Sequence, residues 1–194
     1  MNREDIAGII LAAGASSRMG HPKALLEYRG ETFVARLVRS LGTWCARVVV
    51  VLGHDADRVR GAVPAGARIA INPDPERGML SSLQCGLRAV ADAEAVLFLP
   101  VDFAAVGEDT IATVAAAAGT APIVAPMFGE QHGHPVCVSH AIAEELLALP
   151  ATAQARDVIR SHRATTRFAV VRDAGAVNDI DTPEDYRALV EMTR

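Results

Sequence analysis

A chain of 194 residues is expected to form one domain, spanning 1–194, with room for a sizeable core. Its hydrophobic content of 51% rests on Ala, Val, Leu and Ile with few aromatics, which excludes a disordered chain and suits helices packed on a sheet. A formal net charge of −4 gives no general field for nucleic acid or an anionic membrane, so a polyanionic substrate has to be held by a local cluster of cations.

Strand-like and helix-like stretches alternate along the chain. Ile6 to Ala12 is continuously apolar and reads as a strand buried on both faces. A helix is expected over Thr32–Leu41, a strand over Arg47–Leu52, a short helix over Asp55–Ala62 and a strand over Ala67–Ile71. Leu80–Ala91 reads as a helix with Leu83, Leu87 and Val90 on one side, followed by a strand at Ala95–Leu99. Then come a helix at Asp109–Ala118, strands at Pro122–Pro126 and Pro135–Val138, and a helix at Ile142–Leu149. Asp157–His162 reads as a helical turn, Arg167–Val171 as a strand and Val177–Asp181 as strand-like. Pro183–Met192 closes the chain as a helix, with Thr182 as N-cap and proline at the first position. Such alternation implies βαβ units: an α/β fold, a doubly wound, three-layer α/β/α domain on a mainly parallel sheet.

Glu4 and Asp5 interrupt what would otherwise resemble the basic start of a signal peptide, and no apolar run approaches the ~18 residues of a membrane helix. A cytoplasmic protein without membrane partners is expected. Cys45, Cys85 and Cys137 lie far apart with no CxxC pair, so they read as small buried hydrophobes.

The first strand runs into LAAGASSRMGHPKALL at 11–26. Gly14 and Gly20 are one residue too far apart for the common phosphate-binding loop, and no G-x-G-x-x-G is present. Pro22 denies the loop a helical exit, so it reads as extended and wrapped around a ligand. Its place at the carboxyl end of a buried strand is where open α/β sheets bind ligands.

This sixteen-residue stretch resembles the signature of the nucleotidyltransferases that include molybdenum cofactor cytidylyltransferases, molybdopterin guanylyltransferases and sugar-phosphate nucleotidyltransferases. NPDPERGMLSSLQCGL at 72–87, PVD at 100–102, GHPV at 133–136 and NDIDTPEDY at 178–186 are similar to the cytidylyltransferase group in the same order. The resemblance implies a nucleotide-diphospho-sugar transferase-like fold. It also implies transfer of CMP from CTP to the molybdopterin form of molybdenum cofactor, with release of pyrophosphate.

That chemistry needs in-line positioning and neutralised charge more than covalent help. Leu11, Ala12, Ala13, Gly14, Ala15 and Ser16 are then expected to hold the nucleotide. Arg18 is expected on the β and γ phosphates and Lys23 on the charge developing at the α-phosphate. Asp102 ends an apolar strand and emerges at the same sheet edge, where a carboxylate can hold Mg²⁺. By the family pattern Asp102 and Asp179 are the metal ligands and Asp181 fixes the turn before the last helix. Ser81 and Ser82 either contact the nucleobase or sugar or cap the helix that follows. Gly133, His134 and Pro135 either meet the acceptor or form an ordinary turn. Two departures stand out: Phe103-Ala104-Ala105 lacks the proline that relatives carry after the first acid, and ATAQAR at 151–156 replaces a glycine-bearing run.

Guanylyl transfer and sugar- or polyol-phosphate transfer are the neighbouring enzyme readings. Guanylyltransferases usually show LAGG, and the methyl of Ala13 stands where their second glycine would be. A carrier that delivers finished cofactor to a molybdenum hydroxylase is the reading from another class.

Overall fold

In the computed structural model, which describes residues 1–192, seven small or apolar residues form β1 (Ile6–Ala12), six of them buried. A short antiparallel pair follows, β2 (Glu27–Tyr28) and β3 (Glu31–Thr32), and leads into α1 (Phe33–Trp44). Thr32 caps α1 by accepting the N–H of Ala35 at 3.3 Å. Then come β4 (Arg47–Leu52), α2 (Ala56–Val59), β5 (Arg68–Ile71), α3 (Met79–Arg88), β6 (Ala95–Pro100), α4 (Glu108–Ala116) and β7 (Ile123–Phe128). The chain finishes with β8 (Gln131–His132), β9 (Val136–Ser139), α5 (His140–Ala148), α6 (Ala155–Ser161), β10 (Thr166–Val170) and α7 (Pro183–Glu191).

The main sheet runs β10-β7-β9-β6-β1-β4-β5, with β8 paired to β7. It is mainly parallel: β1 pairs parallel with both β4 and β6, β4 with β5, and β7 with β10. Within it β9 lies antiparallel to both β6 and β7. Side chains alternate across the sheet, as the period of a strand requires. On one face Ile6, Ile10, Val50 and Leu99 pack with Phe33, Leu37 and Leu41 of α1, Ile111 of α4 and Leu189 of α7. On the other, Ile9, Leu11, Val51 and Phe98 pack with Leu83 and Leu87 of α3, Ile142 and Leu146 of α5 and Val158 of α6. Phe33, Leu37 and Leu41 are spaced four apart and are fully buried. Each such side chain contributes about 1.5–3 kcal/mol relative to exposure, so this stripe pins α1 to the sheet.

Three expectations need correction. Val177–Asp181 is not a strand: a 3₁₀ turn at Ala174–Ala176 precedes it, and the segment is irregular. Its backbone contact with the strand region is the N–H of Ile180 donating to the carbonyl of Asp102 at 3.0 Å, one bond where a ladder needs a series. The 13–22 loop is not extended either, as described below. Cys45 and Cys137 are buried, but Cys85 is only half-buried, because it sits on α3 beside the edge strand β5 and turns its thiol toward the carbonyl of Ile71.

Candidate active site

The crossovers β1–α1–β4 and β4–α2–β5 build the sheet to one side of β1, after which α3 carries the chain to β6 on the other side. The topological switch therefore lies at the carboxyl ends of β1 and β6. The 13–26 loop leaves one of these strands and Asp102 follows the other.

Ser16 organises the loop. It adopts a left-handed conformation (φ 50°), its carbonyl accepts the N–H groups of Met19 and Gly20 at 3.0 and 3.1 Å, and its hydroxyl accepts the backbone N–H of Lys23 at 3.1 Å. These bonds close the chain into a tight turn, which is why the extended reading fails. Met19 is buried in the core and anchors that turn. Pro22 then leads into a 3₁₀ turn at Lys23–Leu25, which points Lys23 back at the end of β6.

A cleft of about 290 Å³ opens at this point. Leu11, Ala12, Ala13, Gly14, Ser16, Arg18 and Lys23 line it together with Ser82, Asp102 and Asp181. Ala15 is exposed and is not part of the lining. Ser81 is buried instead: it accepts from Asn72 Nδ2 at 2.8 Å and donates to the carbonyl of Gly78 at 2.8 Å. Ser82 shares Asn72 at 3.0 Å but faces the cleft.

Lys23 joins the acidic residues. Its ammonium lies 3.0 Å from Asp102 Oδ2 and bonds Asp181 Oδ1 on its other side, and Arg18 Nη1 lies 2.7 Å from Asp181 Oδ2. Burial alone would lower the pKa of Lys23; the bonds to Asp181 and Asp102 outweigh it, and the pKa is raised. Asp102 is pushed up by burial, which its contact with Lys23 only partly offsets and which nearby Asp179 and Asp181 reinforce. Both partners of the 3.0 Å pair therefore shift upward: at Lys23 the bonds to the two carboxylates outweigh burial, and at Asp102 burial outweighs the contact with Lys23. Asp181 is held down, first by its bond to Lys23.

The three carboxylates converge. One oxygen each of Asp102, Asp179 and Asp181 lies within 4.8 Å of the other two. Among the described residues, Oδ1 of Asp102 is buried without a hydrogen-bond partner, so it keeps its lone pairs free. Hard oxygen ligands at this spacing fit a small divalent cation. Asp181 does not fix the turn before α7; its side chain faces Lys23 and Arg18. That turn is closed by Thr182 and Asp185, whose side chains form a reciprocal capping box.

Gly133, His134 and Pro135 stand behind the acidic segment, outside the lining of the cleft. His134 donates its backbone N–H to the carbonyl of Ala176 at 2.8 Å, and a Cβ on Gly133 would lie 1.9 Å from that oxygen. Only glycine allows the approach. The ring of His134 packs against Phe103, with centroids 4.5 Å apart, and edge-on to Phe98 at 6.2 Å. Burial lowers its pKa to about 4, and Nδ1 has no hydrogen-bond partner among the described residues.

A loop at the switch point, a lysine and an arginine beside three converging carboxylates, and a cleft between them make up the apparatus of a nucleotidyltransferase. The chain belongs to the MobA-like NTP transferase domain family, whose profile matches residues 8–166. It is 26% identical over 181 residues to molybdenum cofactor cytidylyltransferase of Escherichia coli (strain K12), with 92% of each chain covered. It is 32% identical over 192 residues to molybdenum cofactor guanylyltransferase of Cereibacter sphaeroides, covering 96% of each. It is also 29% identical over 196 residues to nicotine blue oxidoreductase of Paenarthrobacter nicotinovorans, covering 95% of this chain and 96% of that one. Among solved structures, Rv0371c of Mycobacterium tuberculosis H37Rv superposes with a TM-score of 0.86 at 29% identity, covering 98% and 100% of the two chains. A second structure of that protein is a complex with manganese, with a TM-score of 0.81 at 26% identity over 96% and 98% of the two chains. Among the described residues, no helix is long and apolar enough to cross a membrane.

Proposed function

We propose that this nucleotidyltransferase moves a cytidylyl group from CTP onto the terminal phosphate of molybdopterin-type molybdenum cofactor. The observation that carries the reading is the contact of Lys23 with Asp102 and Asp181 beside the unpartnered Oδ1 of Asp102. An oxygen of the acceptor phosphate attacks the α-phosphorus, the bond from that phosphorus to the bridging oxygen breaks, and its electron pair leaves with pyrophosphate. Lys23 turns from Asp181 toward the α-phosphate and meets the charge that develops there. Arg18, whose side chain is 69% exposed, swings from Asp181 onto the β and γ phosphates, where its fork suits two oxygens. Leu11–Gly14 and Ser16 line the nucleotide side of the cleft, with Ser82 facing them.

Asp102 and Asp179 hold Mg²⁺ in this reading, and the ion, when bound, neutralises phosphate charge and orients the displacement. Asp181 keeps the two cations near the phosphates. The complex of the mycobacterial neighbour with manganese supports a divalent ion at this fold.

Guanylyl transfer to the same acceptor is the second reading, favoured by the 32% identity to a guanylyltransferase. Ala13 supports cytosine: it lies in the lining of the cleft at the position where guanylyltransferases usually carry the second glycine of LAGG. The oxidoreductase relative warns that fold alone does not fix chemistry, and the Lys23 cluster is what supports transfer here. Mass spectrometry of molybdenum cofactor incubated with protein, Mg²⁺ and an equal mixture of CTP and GTP tests the reading. A cytidylyl adduct supports it, a guanylyl adduct replaces it with the second reading, and unmodified cofactor bound to the protein would indicate the carrier to a molybdenum hydroxylase.

A further inference from the structure

The acid-bearing segments approach the site from different parts of the chain, and nothing covalent sets their spacing. Asp102 is followed by Phe103-Ala104-Ala105-Val106, a run with no proline to restrict it. Asp179 and Asp181 lie in an irregular segment.

One buried arginine holds the first loop from the side of α1: Arg36 Nε donates to the carbonyl of Ala104 at 2.8 Å and Nη2 to that of Val106 at 3.3 Å. The tie between the two segments is Asp173, which lies outside the lining of the nucleotide cleft. Its Oδ2 accepts the N–H of Gly107 at 2.8 Å and the hydroxyl of Thr110 at 2.7 Å, both on the Asp102 side. Its Oδ1 accepts the N–H of Gly175 at 2.9 Å, in the 3₁₀ turn that feeds Asp179 and Asp181. Gly175 completes the clamp, because a Cβ there would lie 2.5 Å from the carbonyl oxygen of Ala105. The backbones of the two loops are in contact there, and the Ile180 to Asp102 bond continues that contact to the acids themselves.

We infer that Asp173 is a positioning residue of this nucleotidyltransferase, its carboxylate setting the distance between Asp102 and the Asp179–Asp181 pair. A single carboxylate with three charge-assisted bonds to both loops fixes their separation more firmly than the lone Ile180 bond can. Asp173 bonds the loops and not the ligands, so its effect is expected at the lower end of the 10- to 100-fold in metal affinity that removing a ligand's own hydrogen-bond partner typically costs. The inference rests on the proposed metal reading, and the test keeps the two apart.

The probe is Mn²⁺, its binding followed by electron paramagnetic resonance of the free ion, with thermal unfolding of each variant recorded in parallel. Asp173→Asn keeps the shape of the side chain but sets an amide against one of the backbone N–H groups. Gly175→Ala reaches the same separation by another route, pushing the loops apart sterically. Both are expected to weaken Mn²⁺ binding ~10-fold. Leu146→Ala, a buried core truncation on α5, supplies a comparison of lowered stability and is expected to bind Mn²⁺ as the wild type does. The inference is overturned if both loop variants bind Mn²⁺ like the wild type, or lose no more than Leu146→Ala loses. Asp102→Ala separates the layers. Unchanged Mn²⁺ binding in that variant removes the metal reading and this inference with it; binding lost there but retained in the loop variants removes the inference alone.

Discussion

Lys23 Nζ lies 3.0 Å from Asp102 Oδ2, joining residues 79 positions apart across the switch point of the sheet. The ammonium sits between Asp102 and Asp181, two of the three converging carboxylates. A carboxylate that answers to Lys23 in the free protein is less available to a cation.

Replacing Lys23 is therefore expected to move two quantities in opposite directions. Lys23→Ala lowers kcat about 100-fold, on the scale of a lost transition-state donor, with a smaller change in nucleotide affinity. Mn²⁺ binding without nucleotide becomes tighter, because Asp102 loses its competitor. Steady-state kinetics and metal titration check the pair of outcomes, and equal losses in kcat and nucleotide affinity would speak against the role assigned to Lys23.

The carboxylates are expected to separate by role. Asp102→Asn and Asp179→Asn both weaken Mn²⁺ binding by at least ~10-fold, whereas Asp181→Asn acts chiefly on KM for the nucleotide by releasing Lys23 and Arg18. Titrating Mn²⁺ into all three variants shows the ranking. A loss in Asp181→Asn as large as in Asp179→Asn would make Asp181 a ligand.

His134 predicts a pH dependence of stability. Burial lowers its folded-state pKa from the usual 6.5 to about 4, so the unfolded chain binds the proton more readily between these values. The neutral ring contributes fully above about pH 6.5, and that contribution is lost as pH falls toward 4, by about 3 kcal/mol at most. Denaturant unfolding from pH 7 to 4 is expected to show this slope in the wild type and a shallower one in His134→Gln. Equal slopes would mean that the ring is not the group responsible.

Thiol reactivity reports on the cysteines. Burial raises Cys45 and Cys137 to about 12, so Ellman's reagent is expected to find one slow thiol, Cys85, in the native protein and all three after unfolding. Two or more native thiols reacting at similar rates would contradict the packing of β9 and the end of α1.

Much of the architecture was legible because apolar period and burial coincide. β1, β6 and the Val48–Leu52 part of β4 are continuous apolar runs and are buried between two helical layers. Thr182-Pro183 marked the start of α7, and Asp185 completed the box. The β2–β3 hairpin was not legible, since its two central residues are Arg29 and Gly30, both with positive φ, and arginine does not advertise that turn as asparagine does. The alternating acids of Val177–Asp181 imitated a strand, yet the segment is held by the Ile180 N–H on the carbonyl of Asp102 and by the preceding turn, which His134 ties at Ala176 and Asp173 ties at Gly175. Lys23, Arg18 and Asp102 stood out through their motifs. The part of Asp181 in gathering the cations, and the tie through Asp173, come from contacts across 158 and 66 positions that no local pattern carries.

The measurement that bears most directly on the central claim is pyrophosphate release with Mg²⁺ and molybdenum cofactor, offering CTP, GTP, ATP and UTP separately to the wild type and to Asp102→Ala. The account predicts release with CTP that requires both the cofactor and the metal and is abolished in Asp102→Ala. Release that persists in that variant, or none with any nucleotide while the cofactor binds, would contradict it.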